Sequence, residues 1–154
     1  MGTRGLYGFR YKGRYILFYN HWDSYCDGLG QKILDELRKF TEADYAALEA
    51  LLKNHLRNQT LKEGTEGWDG DNFEGLMKAA QNPETYPLHH VERELPRPDL
   101  FIEYTYIVDL NKSFLRVITH NDKFKFPLHE LPRHMGGYDE ERDSDVDTNL
   151  SDDE

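Results

Sequence analysis

An α+β fold follows from three features of the sequence. Residues 5–20 and 100–127 are rich in aromatic and β-branched types, as strands are. Between them, apolar residues recur at helical spacing. Short polar turns split each strand-rich region into a hairpin. The chain therefore predicts an antiparallel sheet of four or five strands with about three helices packed on one face.

The first hairpin is Gly5 to Tyr11 and Arg14 to Asn20, joined by Lys12-Gly13, since Gly at the second turn position accepts a positive φ. Tyr7, Phe9 and Tyr11 share one face of the first strand, while Ile16, Leu17 and Phe18 make the second apolar on both sides. The second strand should therefore be interior to the sheet.

Leu29, Ile33, Leu34, Leu37 and Phe40 predict an amphipathic helix over 29–40. Thr41-Glu42-Ala43-Asp44 resembles a capping box with Asp in the reaching position, and Tyr45, Leu48, Leu52 and Leu56 continue a helix over 42–57. Residues 58–71, with Gly64, Gly67 and Gly70 around Trp68, read as a loop. Phe73, Leu76, Met77 and Ala80 give a third helix, 72–81, with Asp71 as its cap and Asn82-Pro83 as its end.

Four prolines between Pro83 and Pro98 exclude regular structure from most of that segment. Residues 100–109 and 113–119 are the strongest strand signals, separated by an Asp109-to-Lys112 turn. Phe124, Phe126 and Leu128 add a short edge strand interrupted by Pro127. Residues 1–137 are thus expected to form one domain.

Residues 138–154 hold nine acidic side chains and one arginine, a net of −8 out of −10 for the whole chain. A disordered acidic tail is expected there, and the body is left nearly neutral. Ser144 and Ser151 lie in acidic contexts like those of acidophilic kinase sites. A single cysteine, Cys26, gives no internal disulfide, and no apolar leader or long apolar run is present, so a soluble intracellular protein is expected. The sequence carries no strong nucleic-acid signal and no membrane signal.

Chemistry-bearing residues concentrate between Asn20 and Gly30, where the hairpin meets the first helix. His21 and Asp23 fall on one side of the chain if extended geometry persists past the strand, which suits a general acid/base pair. The alternative is a loop held by its own hydrogen bonds. Gly28-Leu29-Gly30 before a helix permits close backbone approach and amides that bind phosphate or carboxylate, or serves simply as a turn. A P-loop or dinucleotide fingerprint is absent.

The scattered histidines His89, His90, His120, His129 and His134 have no metal-ligand spacing, so no metal centre is assigned and no cofactor is indicated. Cys26 reads as a packing residue more than as a nucleophile beside His21. Thr3 could act as a terminal nucleophile only after cleavage behind Gly2.

Gly2-Thr3-Arg4, the hairpin, and Asn20-His21-Trp22-Asp23-Ser24-Tyr25 with Gly28 and Gly30 together resemble a family of small uncharacterised phage, microbial and fungal proteins. Its members open on Gly-Thr-Arg and carry a His-Trp-Asp-Gly-Tyr-Pro-like segment before a glycine and a helix. The resemblance covers about the first forty residues and implies a common site at Thr3, Arg4, His21, Trp22, Asp23, Tyr25 and Gly30. Ser24 stands where that pattern has Gly, and Cys26 where it has Pro.

These readings converge on a small-ligand-binding or hydrolase-like domain. Arg4 with the helix N-terminus at Gly28 and Gly30 would hold a small anionic ligand, His21 and Asp23 would move protons, and Trp22 and Tyr25 would form walls. The competing expectation is a non-enzymatic module that binds a protein partner through an exposed row including Tyr104 and Tyr106, an open sheet edge, or the acidic tail.

Overall fold

The computed structural model describes residues 3–58, 73–83, 88–92, 102–119 and 122–135. Trp68 and its glycines, Asp71, His120, the acidic tail and its serines lie outside these residues, as do the side chains of His89 and His90.

The fold is α+β, with one mixed and mostly antiparallel sheet. Strands β1 (Gly5–Tyr11), β2 (Arg14–Asn20), β3 (Leu88–Glu92), β4 (Tyr104–Asp109), β5 (Phe114–Thr119) and β6 (Lys123–Pro127) align in the order β3-β2-β1-β4-β5-β6. Lys12 (φ 53°) and Gly13 (φ 77°) both take the left-handed conformation that a tight hairpin turn requires. β2 is interior to the sheet, flanked by β1 and β3.

Two features differ from the sequence expectation. β3 adds a sixth strand beside β2, because Pro87 and Pro96 bracket residues 88–92 without entering them. The two hairpins also meet through a parallel pair, with Gly5 opposite Tyr104 and Arg10 opposite Asp109. Parallel pairing needs a long crossover, and the chain between β2 and β4 supplies one that carries all three helices. β1 and β4 consequently start at the same end of the sheet.

Helices α1 (Gln31–Arg38), α2 (Glu42–Asn58) and α3 (Leu76–Gln81) contribute to the core on one face. Leu29, Ile33, Leu34, Leu37, Leu48 and Leu52 meet Tyr7, Phe9, Phe18, Tyr106, Val108 and Val117 there. The expected start of the first helix, at Leu29, is a π-helical turn, Cys26–Gly30, that runs into α1. At α2 the capping box forms as expected: Asp44 N donates to Thr41 Oγ1 (3.2 Å), and Thr41 N donates to Asp44 Oδ2 (2.8 Å).

The N-terminal amides of α3 are satisfied from another helix. Leu76 N and Met77 N donate to the Glu36 carboxylate of α1, at 2.6 and 3.1 Å. On the opposite face of the sheet Leu6, Leu17 and Ile107 form a second small apolar cluster. Among the described residues no helix is long and apolar enough to cross a membrane.

Candidate functional site

The segment from Asn20 to Gly30 wraps the end of the sheet where β2 stops and β1 and β4 start. Register assigns Tyr19, opposite Leu6, to the face away from the helices. Tyr104, opposite Gly5 and stacked on Tyr106, lies on the helix face. The segment thus passes from one face to the other, and its side chains are divided between them.

Its inner side is a closed polar network. Asn20 Nδ2 donates to Trp22 O (2.7 Å) and to Ser24 Oγ (2.8 Å), and Ser24 Oγ donates to Thr3 O (2.8 Å). Tyr106 Oη donates to Ser24 O at 2.7 Å. Thr3, Asn20, Ser24 and Tyr106 are all buried. Ser24 therefore fastens Thr3 to the segment. Thr3 is buried in that contact, which leaves its hydroxyl poorly placed as a nucleophile.

Burial, followed by the nearby Cys26 thiol, drives the Tyr106 hydroxyl far above its ordinary pKa. Its proton is the one donated to Ser24. Cys26 is half-buried against the core beside Tyr106 and on the Tyr104 side, away from the Tyr19–His21 pair.

The strand does not continue through His21 and Asp23. β2 ends at Asn20, and Asp23 takes φ 54°, so the extended geometry that would align the two is broken. His21 Nδ1 instead lies 2.7 Å from Tyr19 Oη, and its ring stands edge-on to Trp22. Asp23 lies against Gly28, where a Cβ would collide with its carboxylate.

The glycines serve close packing. A Cβ on Gly30 would come within 2.9 Å of the Tyr106 ring. The amides of the turn are already used: Gly28 N and Gly30 N donate to Tyr25 O (2.9 and 3.1 Å), and Leu29 N donates to Asp23 O (2.9 Å). The reading of Gly28 and Gly30 as donors to an anion loses its basis, because the turn consumes those N–H groups itself.

The outer side is aromatic and acidic. Trp22 is 47% exposed and Tyr25 49%, the exposed large apolar side chains among the described residues. Tyr25 meets Tyr104 edge-on, with ring centroids 5.7 Å apart. Asp23 and Asp27 are exposed beside them, as is Glu103. Glu103 ties the cluster to the N-terminus: Arg4 N donates to Glu103 Oε1 (3.0 Å), and Glu103 N donates to Arg4 O (2.9 Å).

The Tyr19 hydroxyl is raised above its ordinary pKa by burial, an effect opposed by Arg4 and reinforced by Glu103. Tyr104 is raised as well, first by burial and then by Cys26, Tyr25, Glu103 and Asp27. Both electrostatic environments include Glu103, so this carboxylate lies between the two halves of the cluster.

Of the residues expected at the site, Arg4, His21, Trp22, Asp23 and Tyr25 all surround this end of the sheet. Tyr19 was legible as the residue two before His21 on the same strand face. Glu103 was not, because it arrives from just ahead of β4, far away in the sequence. Among the described residues no group of three or more His, Cys, Asp or Glu is placed to hold a metal. Compared with known protein families, with curated proteins and with solved structures, the chain has no match.

Proposed function

We propose that the protein is a small-ligand-binding domain that recognises an organic cation at this end of the sheet. The observation that carries the reading is the exposure of Trp22 and Tyr25 beside Asp23, Asp27 and Glu103, on a segment whose inner side is fully hydrogen-bonded. Aromatic faces attract cations through the ring quadrupole, and nearby carboxylates add charge complementarity. Three exposed carboxylates against Arg4 disfavour an anion here, so the expected sign of the ligand is reversed.

A hydrolytic role has weaker support. Its proton carrier would be the Tyr19–His21 pair, and the nearby Ser24 hydroxyl is buried and bonded to Thr3. The protein-partner reading also loses support on the sheet, where Tyr106 is buried and the β6 edge carries Lys123, Lys125 and Pro127, residues that blunt edge pairing.

The test is thermal stability of the full chain with choline, agmatine and spermidine set against adenosine monophosphate, a sugar phosphate, acetate and divalent metals. A cation at about a hundred times its Kd should raise stability by about 2.7 kcal/mol, a shift of several degrees. Trp22→Ala and Glu103→Gln should each abolish the shift without unfolding the protein. A response to the anions alone, or to none of the panel, contradicts the reading.

A further inference from the structure

At the far end of β4 lies a cleft of about 670 Å³ that none of the expected site residues touches. It opens beneath the corner between α1 and α2, beside the β4–β5 turn and the end of β6. Leu37, Phe40, Leu110, Leu128 and Leu131 give it an apolar lining, and all but Leu37 are only partly buried against the core. Its rim also carries Arg38, Glu42, Glu49 and His129. A volume in this range suits one small molecule.

Tyr45 supplies the specific feature. It lines the cleft and meets Phe40 edge-on at 5.1 Å, yet its hydroxyl oxygen is sealed from water and has no hydrogen-bond partner. Buried hydroxyls are almost always paired, so an orphan on the wall of a ligand-sized cleft is a group waiting for an acceptor. Burial also pushes its pKa up to about 12, which keeps the proton on the oxygen and makes it a donor at neutral pH.

We propose that this cleft is a second binding site, independent of the aromatic cluster, for an uncharged, ring-bearing molecule whose carbonyl oxygen accepts the Tyr45 proton. The apolar lining takes the ring, and the hydroxyl selects a ligand with an acceptor over an isostere without one. Because the hydroxyl is sealed, contact with the ligand's oxygen requires the half-buried Tyr45 side chain to move.

The test compares acetophenone with ethylbenzene, which has nearly the same shape and no acceptor, by amide chemical shifts of the full-length protein. Both should move the amides of Leu37, Phe40, Tyr45, Leu110 and Leu128 and leave His21 to Gly30 in place, and acetophenone should bind about fivefold more tightly. Tyr45→Phe should erase that difference while leaving the melting temperature of the free protein unchanged or higher, because it deletes an unpaired buried hydroxyl. Leu128→Trp, which fills the cleft from an exposed turn, should abolish binding of both. The proposal is overturned if neither compound saturates these amides, if the preference for acetophenone survives in Tyr45→Phe, or if binding survives in Leu128→Trp.

Discussion

The segment from Asn20 to Gly30 and the cleft under the Phe40–Thr41 corner sit at opposite ends of β4, about 20 Å apart at the usual rise of a strand. They divide their polar groups in opposite ways. In the segment, polar side chains are spent on holding the chain: Ser24 on Thr3, and Asn20 on Trp22 and Ser24. In the cleft, residues of no chemical distinction leave one hydroxyl unspent. A dense motif can thus be largely scaffold.

The largest expected effect tests the scaffold half of this comparison. Asn20→Leu leaves the Trp22 carbonyl without the Asn20 amide and removes the hydrogen bond that Ser24 Oγ accepts, so it should cost about 2–4 kcal/mol and lower the melting temperature by several degrees. A loss below about 0.5 kcal/mol, within the range of ordinary surface changes, would mean that the network is incidental.

Tyr106→Phe should come next, at about 1–2 kcal/mol, by leaving Ser24 O without its donor. Hydrogen exchange should quicken in residues 21–30 more than in the cleft. Equal acceleration at both ends would show that the two regions are one cooperative unit.

Much of this organisation was readable beforehand, and what was not has a common physical origin. The Lys12-Gly13 turn, the apolar second strand, the Thr41–Asp44 capping box and the Leu48–Leu52 stripe are encoded by neighbours in the chain, and each formed as expected. The parallel meeting of β1 and β4 was not readable, because strand character says nothing about which way a distant hairpin inserts. Glu36 capping α3, Glu103 joining the halves of the aromatic cluster, and the cleft itself share this cause. Each depends on residues from separate elements brought together only by packing. His21 and Asp23 illustrate the converse, since their spacing assumed an extended chain that ends at Asn20.

Trp22→Ala should leave stability within about 0.5 kcal/mol, as expected for an exposed side chain outside the network, while removing the ligand response. A destabilisation as large as that of Asn20→Leu would assign Trp22 to the scaffold.

The smallest effect concerns alkaline pH. The Tyr45 pKa is raised from 10.0 to about 12 by burial, and that of Tyr106 further still, so the folded state holds these protons more tightly than the unfolded chain. Their contribution is complete below pH 10 and is lost as pH rises through the folded values, with Tyr45 acting between 10 and about 12. Tyr45→Phe should flatten the fall in stability over that window and remove one late-titrating phenol from the ultraviolet titration. An unchanged slope and an unchanged titration would place the Tyr45 hydroxyl in contact with water and the cleft in error.

The most direct test of the recognition site reads Trp22 itself. In a Trp68→Phe variant Trp22 is the sole indole, and its emission should change saturably as choline or agmatine is added, more weakly at high salt and not at all with adenosine monophosphate. Emission that ignores both cations, or that saturates only with the nucleotide, would contradict the assignment of this aromatic and acidic surface to an organic cation.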